Sequence, residues 1–443
     1  MLILGTGSRN LWHFKLGVGE CNNKAEAIDD RGVSRVSAAF LFHVVGEKFR
    51  IGNTMEQEDD EQQQVWSWGA GTDGQLATGR LQDEHSPQLI RSLSAYGPIV
   101  SLSCGGAHVI ALTSGGRVVT WGRGISGQLG HGEMVNNLQP KLVKELEGLV
   151  ITHVSAGWNH SGFVSETGAI FTCGDGSFGQ LGHGDFNSHC YPREVSYFAS
   201  KPVEQVACGM RHSLMLLRGN VENPVYGFGS GKRGQLGISR DSVKSSSLPQ
   251  ITMGLENLKI ISIYANGDHS AALSGDGSLY TWGRGFSGAP DAYIPCHFDA
   301  AAFPISDVAL GWNHALLLTG EGEVFMLGGD RHGVLGDPQK TPSTADVRGK
   351  SEETMMQIIP GLVNLKVVQV ATGAEHSAFI TDNGSVMTSG WGEHGQLGLG
   401  NTNNQTEPRV VTLGRKFTLS HATPRVYCGS GFSFILERHD VSS

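Results

Sequence analysis

Along most of this chain the apolar residues come in runs of five or six, too short for a helix and bounded by glycine, and the runs come in pairs. His108–Thr113 (HVIALT) leads through Thr113-Ser-Gly-Gly116 into Arg117–Gly122 (RVVTWG). Runs rich in β-branched, aromatic and small residues, joined by residues that reach positive φ at low cost, predict two antiparallel strands and a tight turn. The same turn chemistry recurs at Glu166-Thr-Gly168, Gly275-Asp-Gly277, Glu321-Gly322 and Asp382-Asn-Gly384. A more polar stretch follows each pair, and proline at 87, 140, 192, 249 and 408 introduces a further strand-like segment there, such as PKLVKEL.

The pairs belong to a two-part phrase that recurs seven times between Trp66 and Leu436. Its first part ends in a glycine-rich turn reading Gly-Gln-Leu-Gly. Clear copies are Val118–Gly130, Ile170–Gly182, Val225–Gly237 and Val386–Gly398, and looser ones start at Val65, Leu279 and Val324. Its second part is Gly-x-x-His, ending at His108, His160, His212, His269, His314 and His376; the seventh copy has Phe432 instead, and the fourth has Asn266 in the glycine position. From His108 to Gly122, His160 to Gly174 and His376 to Gly390 the interval is the same 14 residues, enough for a strand, a turn and a strand. A fixed period of roughly 50 residues marks units that cannot bury their own apolar faces, and a ring of them must close. The expectation is an all-β fold, a closed seven-bladed β-propeller of four-stranded blades over 65–437, with a non-repeat leader over 1–64 and a short tail over 438–443.

These motifs resemble those of the regulator-of-chromosome-condensation repeat family from Val65 to Leu436. The resemblance implies that the residues inside Gly-x-x-His lie toward one face of the disc. It also implies two precedents for that face: guanine-nucleotide exchange on the small GTPase Ran, and ultraviolet-B perception in plants through repeated Gly-Trp-Arg-His-Thr motifs. The matching positions here are Trp158 and Asn159, Met210 and Arg211, Gly267 and Asp268, Trp312 and Asn313, and Ala374 and Glu375. Gly-Trp-Asn-His occurs twice and Gly-Trp-Arg-His nowhere. The two tryptophans fall in blades 2 and 5, which are not neighbours on the ring. A coupled tryptophan cluster with adjacent arginines for cation–π contact is therefore expected to be missing. Exchange would call for polar or acidic groups that disturb phosphate and Mg²⁺ contacts, and Asp268, Glu375, Asn159 and Asn313 are the candidates.

The net charge is −9, made of +2 over residues 1–54, −5 over 55–64 and −6 over the rest, with no Lys/Arg cluster along the chain. Direct nucleic-acid binding is not expected. The longest apolar run, Val36–Val45, carries His43 and is short of the roughly 20 residues that span a bilayer, so no membrane association is expected. No C-x-x-C pair occurs, and Cys104, Cys208 and Cys428 share one repeat position that holds Ala156, Ala265, Leu310 and Thr372 elsewhere, which suits buried thiols in a reducing compartment. The six motif histidines, one per blade, are too dispersed for one metal ion and are expected to tie blade to blade by bonding neighbouring backbone; neither metal nor cofactor is implied. The G-x-G-x-x-G spelling at Gly122–Gly127 lacks the helix that a dinucleotide site needs. No catalytic constellation stands out.

Met55 precedes the acidic run Glu56–Glu61 and is an alternative start; Glu26, Asp29 and Asp30 weaken an organelle-targeting reading of the leader, so cytoplasm or nucleus is expected. Gly333 to His376 is 43 residues where Gly127 to His160 is 33, and the excess, Asp337–Glu353, is expected in blade 6; it carries Lys340, Arg348 and Lys350. Blade 5, with Ala289-Pro290 in place of Gln-Leu, is expected to be thin at one edge. The functional expectation is an interaction platform that binds a protein partner through the Gly-x-x-His face and this basic loop. An exchange factor for a Ran-like small GTPase is the alternative, and an ultraviolet-B receptor-like signalling protein the lesser one.

Overall fold

The structure, a computed structural model, describes residues 63–239, 244–286, 289–299, 303–328, 356–413 and 423–438. The leader with Met55, the loop bearing Lys340, Arg348 and Lys350, and residues 439–443 lie outside the described residues.

The paired runs form antiparallel strands, and the glycines between them take the positive φ the turns require: 72° at Gly116 and 87° at Gly168. Seven four-stranded sheets result. Blade 1 consists of Ile99–Cys104, His108–Thr113, Val118–Gly122 and Asn137–Leu142. Blades 2 to 6 repeat that order, beginning at Ile151, Val203, Ile260, Ile305 and Val367. Blade 7 is assembled from both ends of the chain: Arg425–Cys428 and Phe432–Arg438 supply its inner strands, Gln63–Gly69 and Glu84–Leu89 its outer ones. The closing pair runs in unbroken register from Gln63↔Arg438 to Gly69↔Phe432.

Repeat and blade are thus out of phase, because each repeat opens on the third strand of a blade. Two assignments change in consequence. The long insertion joins Val324–Gly328 to Gln357–Ile358 within blade 5, not blade 6, and that outer strand has only two residues. The shortened Ala289-Pro290 turn lies in blade 4, whose sheet nevertheless keeps four strands. The proline segments are the outermost strands, where a missing N–H costs no ladder bond and discourages edge pairing.

The core lies between blades. Ile110, Leu112 and Val118 of blade 1 pack on Ile151, Val154 and Phe163 of blade 2, and equivalent clusters fill the other junctions. Each side chain so buried contributes on the order of 1.5–3 kcal/mol.

Polar links cross the same junctions. Ser161, Ser213, Ser270 and Ser433 donate to the carbonyls of Gln128, Gln180, Gln235 and Gln396 at 2.7–3.0 Å. With each hydroxyl proton committed there, the previous blade's histidine donates Nε2–H to the serine oxygen: His108 to Ser161, His160 to Ser213, His212 to Ser270 and His376 to Ser433, at 2.9–3.0 Å. His314 reaches Ser377 at 3.1 Å. The histidines do tie blade to blade, but in these five cases to a hydroxyl rather than to backbone as the sequence suggested. The Trp68, Trp121 and Trp282 indoles donate to the carbonyls of Gln396, Gln75 and Gln235. The glutamine side chain accepts the N–H two residues before it, as Gln128 does from Ser126, so Gly-Gln-Leu-Gly is a self-capped turn presenting one carbonyl to its neighbour. At the seventh junction Phe432 and Val109 replace histidine and serine together and share one apolar cluster.

The junction between blades 4 and 5 breaks the rule. A Cβ in the glycine position of Gly-x-x-His would strike the motif histidine and the next blade; at Gly157 it would lie 2.5 Å from His160 Cε1 and 2.6 Å from the Gly209 carbonyl. Asn266 has that Cβ, and Ala315 stands where five other blades have serine. His269 accordingly turns away, stacks on Phe286 at 4.2 Å, and faces the carbonyls of Arg284 and Trp312 at 2.6 and 2.8 Å. Restoring both residues (Asn266→Gly with Ala315→Ser) is expected to stabilise the protein by about 1 kcal/mol. Ala315→Ser alone is expected to destabilise it by leaving a buried hydroxyl unpaired. Thermal unfolding of the two variants beside the unaltered protein checks this, and a double variant no more stable than the single one would refute the account.

Candidate functional site

Each Gly-x-x-His loop joins the innermost strand of a blade to the second, so all seven converge on the mouth of the central shaft. A chain of backbone bonds runs around that mouth: Gly106 N–H to Gly157, Trp158 to Gly209, Met210 to Gly267, Trp312 to Ala374, Ala374 to Ser430 and Ser430 to Gly105, all at 2.9–3.1 Å. The gap falls between blades 4 and 5, where Gly267 N–H bonds the Asn266 side chain and Asn266 Nδ2 donates to the Leu310 carbonyl instead.

Trp158 and Trp312 meet across the mouth, with ring centroids 5.0 Å apart and planes tilted by 40°. The expectation that blades 2 and 5 keep them apart is overturned. Separation around the ring does not limit residues that point at its axis, where opposite blades are closest. Below the pair lies a shaft of about 340 Å³, lined among others by Cys104, Cys208, Cys428, Tyr264 and His153. These thiols are free, and burial pushes each of them up, Cys208 and Cys428 to about 12, so they are inert rather than nucleophilic.

Around the tryptophans the predicted residues separate by sector. Asn313 Nδ2 donates to Glu375 Oε1 at 2.8 Å, linking blades 5 and 6. Asp268 on blade 4 accepts from Gln235 Nε2 at 2.9 Å. Arg211 on blade 3 is exposed, with its guanidinium 5.1 Å from the centre of the Phe178 ring. Asn159 Oδ1 is buried with no hydrogen-bond partner among the described residues. None of these groups forms a nucleophile–base pair, and among the described residues no cluster of His, Cys, Asp and Glu has metal-binding geometry.

Sequence reasoning missed three features of this face: the indole contact, the serine relays and the second ring of loop tips carrying Asp73, Phe178, Arg233 and His394. The relays were visible as the serine that follows His160, His212, His269 and His376. The loop tips were visible as the residue two before each Gly-Gln-Leu-Gly glutamine.

The profile of the RCC1-like domain matches residues 64–435. The ultraviolet-B receptor UVR8 of Arabidopsis thaliana is 29% identical over 355 residues, 78% of this chain and 77% of that protein. The secretion-regulating guanine nucleotide exchange factor of Mus musculus is 30% identical over 367 residues, 78% of each chain. Among solved structures, Prp20p of Saccharomyces cerevisiae covers 89% of this chain and 97% of its own, with a TM-score of 0.71 at 22% identity.

Proposed function

The chain belongs to the RCC1-like domain family, and from that premise we propose that it is a non-catalytic interaction platform whose Gly-x-x-His face receives a protein partner. The observation that carries this reading is the face itself. Trp158 and Trp312 form a rigid aromatic centre at the mouth of the shaft, ringed by charged and amide side chains set on loops that the ring holds fixed. Partially exposed aromatic residues inside a polar rim are the anatomy of a binding hot spot. Lys340, Arg348 and Lys350 are proposed to extend the same contact.

Exchange activity toward a small GTPase is the second reading. It is favoured by similarity along most of both chains to a guanine nucleotide exchange factor, and by Asp268 and Glu375, which are held in place on this face by Gln235 and Asn313. Ultraviolet-B signalling draws support from the indole contact and from similarity to UVR8. Against it, neither indole has a cation–π partner among the described residues.

The deciding experiment is release of a fluorescent guanine nucleotide from Ran and from a panel of other small GTPases, with residues 55–443 added in catalytic amounts. Acceleration that falls at least tenfold in Asp268→Ala or Glu375→Ala would establish exchange. Without acceleration, capture of a partner that is lost in Trp158→Ala and Trp312→Ala supports the platform; capture unchanged by either variant would place the contact elsewhere and defeat it.

A further inference from the structure

We infer that the part of the Gly-x-x-His face built by blades 3 and 4 is a docking surface for an acidic segment of a partner protein. The inference deepens the platform reading and rests on it.

Five cations from four separate stretches of the chain come together there. The Ser230 N–H bonds the Arg211 carbonyl, which sets the Arg211 loop beside Ser230–Arg233, and the Gly231 N–H bonds the Lys244 carbonyl on the same side. On blade 4, the Arg284 N–H bonds the Asp268 carbonyl, and Gln235 joins that loop to the blade 3 tip. Arg211, Lys232 and Lys244 are exposed, and the Arg233 side chain is half exposed. The carboxylates within this sector are already engaged: Asp291 takes both of its oxygens to Arg233 at 3.1 and 3.2 Å, and Asp268 accepts from Gln235. Five cations against these two carboxylates leave the sector net positive.

Two further features separate this from an ordinary solvated surface. Part of the patch is held in position: Arg211 stacks on Phe178, Arg233 is anchored by Asp291, and the Tyr293 hydroxyl donates to the Lys232 carbonyl at 3.2 Å, fixing the backbone beneath that lysine. Side chains fixed beforehand lose less freedom on binding. The patch also runs against the charge of the whole chain, which is −9. Across the mouth, blades 6 and 7 present Glu375, Glu393 and Asp83, the last bonded to His394 at 2.9 Å. The face is therefore bipolar, and a partner with an acidic patch is steered to one side of it and turned into one orientation. A protein segment fits better than nucleic acid, because a long polyanion lying across the disc would meet the acidic half.

The probe is a fluorescent twelve-residue peptide of glutamate and glycine, titrated with the full chain at low and physiological salt. Lysine–glycine and single-stranded DNA probes of matched charge serve as comparators. The acidic peptide is expected to bind, to weaken with salt, and to lose about tenfold or more in affinity with Lys232→Glu/Lys244→Glu. Glu393→Lys, in the opposite half, is expected to leave the affinity within about twofold. Absence of peptide binding, equal loss in both variants, or DNA binding as tight as that of the peptide would each overturn the inference. Partner capture separates the two levels. Capture that survives Lys232→Glu/Lys244→Glu but is lost in Trp312→Ala refutes the acidic-segment inference alone, whereas capture indifferent to all three removes the platform reading as well.

Discussion

Acidification is expected to unfold the propeller cooperatively near pH 5, well above the range in which most proteins without buried histidines fail. Burial holds His108, His160, His212 and His376 at about 3 and His314 at about 4; the first four donate Nε2–H to a serine, His314 shares a hydrogen bond with Ser377, and all five Nδ1 atoms are buried without a partner among the described residues. The unfolded chain would titrate these rings near 6.5. As pH falls from about 6.5 toward 3–4 the unfolded state takes up protons that the folded state refuses, so stability is lost throughout that window and not outside it. At pH 5 the loss is about 2 kcal/mol per ring, or roughly 10 kcal/mol for five, comparable to the whole stability of an ordinary domain. Asp307, pushed up by burial, acts in the opposite direction, but it is one group against five. Urea midpoints measured from pH 7.5 to 5 test this, and a midpoint constant over that range would refute it. The chain supplies its own control. His376→Phe with Ser433→Val copies the Phe432/Val109 junction and leaves the Gln396 carbonyl bonded to Trp68, so the double variant should lose the proton uptake of one ring while staying close to wild type at pH 7.5.

A chain ending at residue 420 is expected to aggregate rather than form a six-bladed ring, while residues 55–443 remain soluble and cooperative. The truncation removes both inner strands of blade 7 and leaves Gln63–Gly69 without the seven-residue register that pairs it. It also uncovers the faces of blades 1 and 6, exposing Leu102, Val109, Trp121, Val386 and Ile380, which are at most 5% exposed in the closed ring. Unpaired strands beside a bared apolar surface recruit other chains. Sedimentation of the two proteins gives the answer, and a monomeric, cooperatively unfolding 1–420 would show that closure is dispensable.

The architecture was legible in the sequence because the same few residues recur for reasons that are local. Glycine in Gly-x-x-His leaves room for its own histidine, and Gly-Gln-Leu-Gly caps its own turn, so seven copies announce seven blades. What stayed hidden depends on where a repeat begins in space. The phrase starts on a third strand, so the long insertion was placed one blade too far along. Trp158 and Trp312 looked remote because sequence orders blades around a circle and says nothing of its diameter. The basic sector escaped notice for the same reason, since Arg211, Lys232, Lys244 and Arg284 are scattered along the chain. The Asn266 and Ala315 exceptions were readable one by one, but their pairing across a junction was not, as they lie in different repeats.

Blade 7 also fixes an order of events in synthesis. Trp66 donates to Glu437, 371 residues later, so the first strands of the propeller wait for its last ones. Bringing ends so distant together carries a large loop-closure cost that local blade formation does not. Blades 1 to 6 can pair as they leave the ribosome, but Gln63–Leu89 cannot find its sheet until Arg425–Arg438 has emerged. Throughout that interval the nascent propeller carries an open edge on each side, which makes the wait for blade 7 the period when it most depends on chaperones.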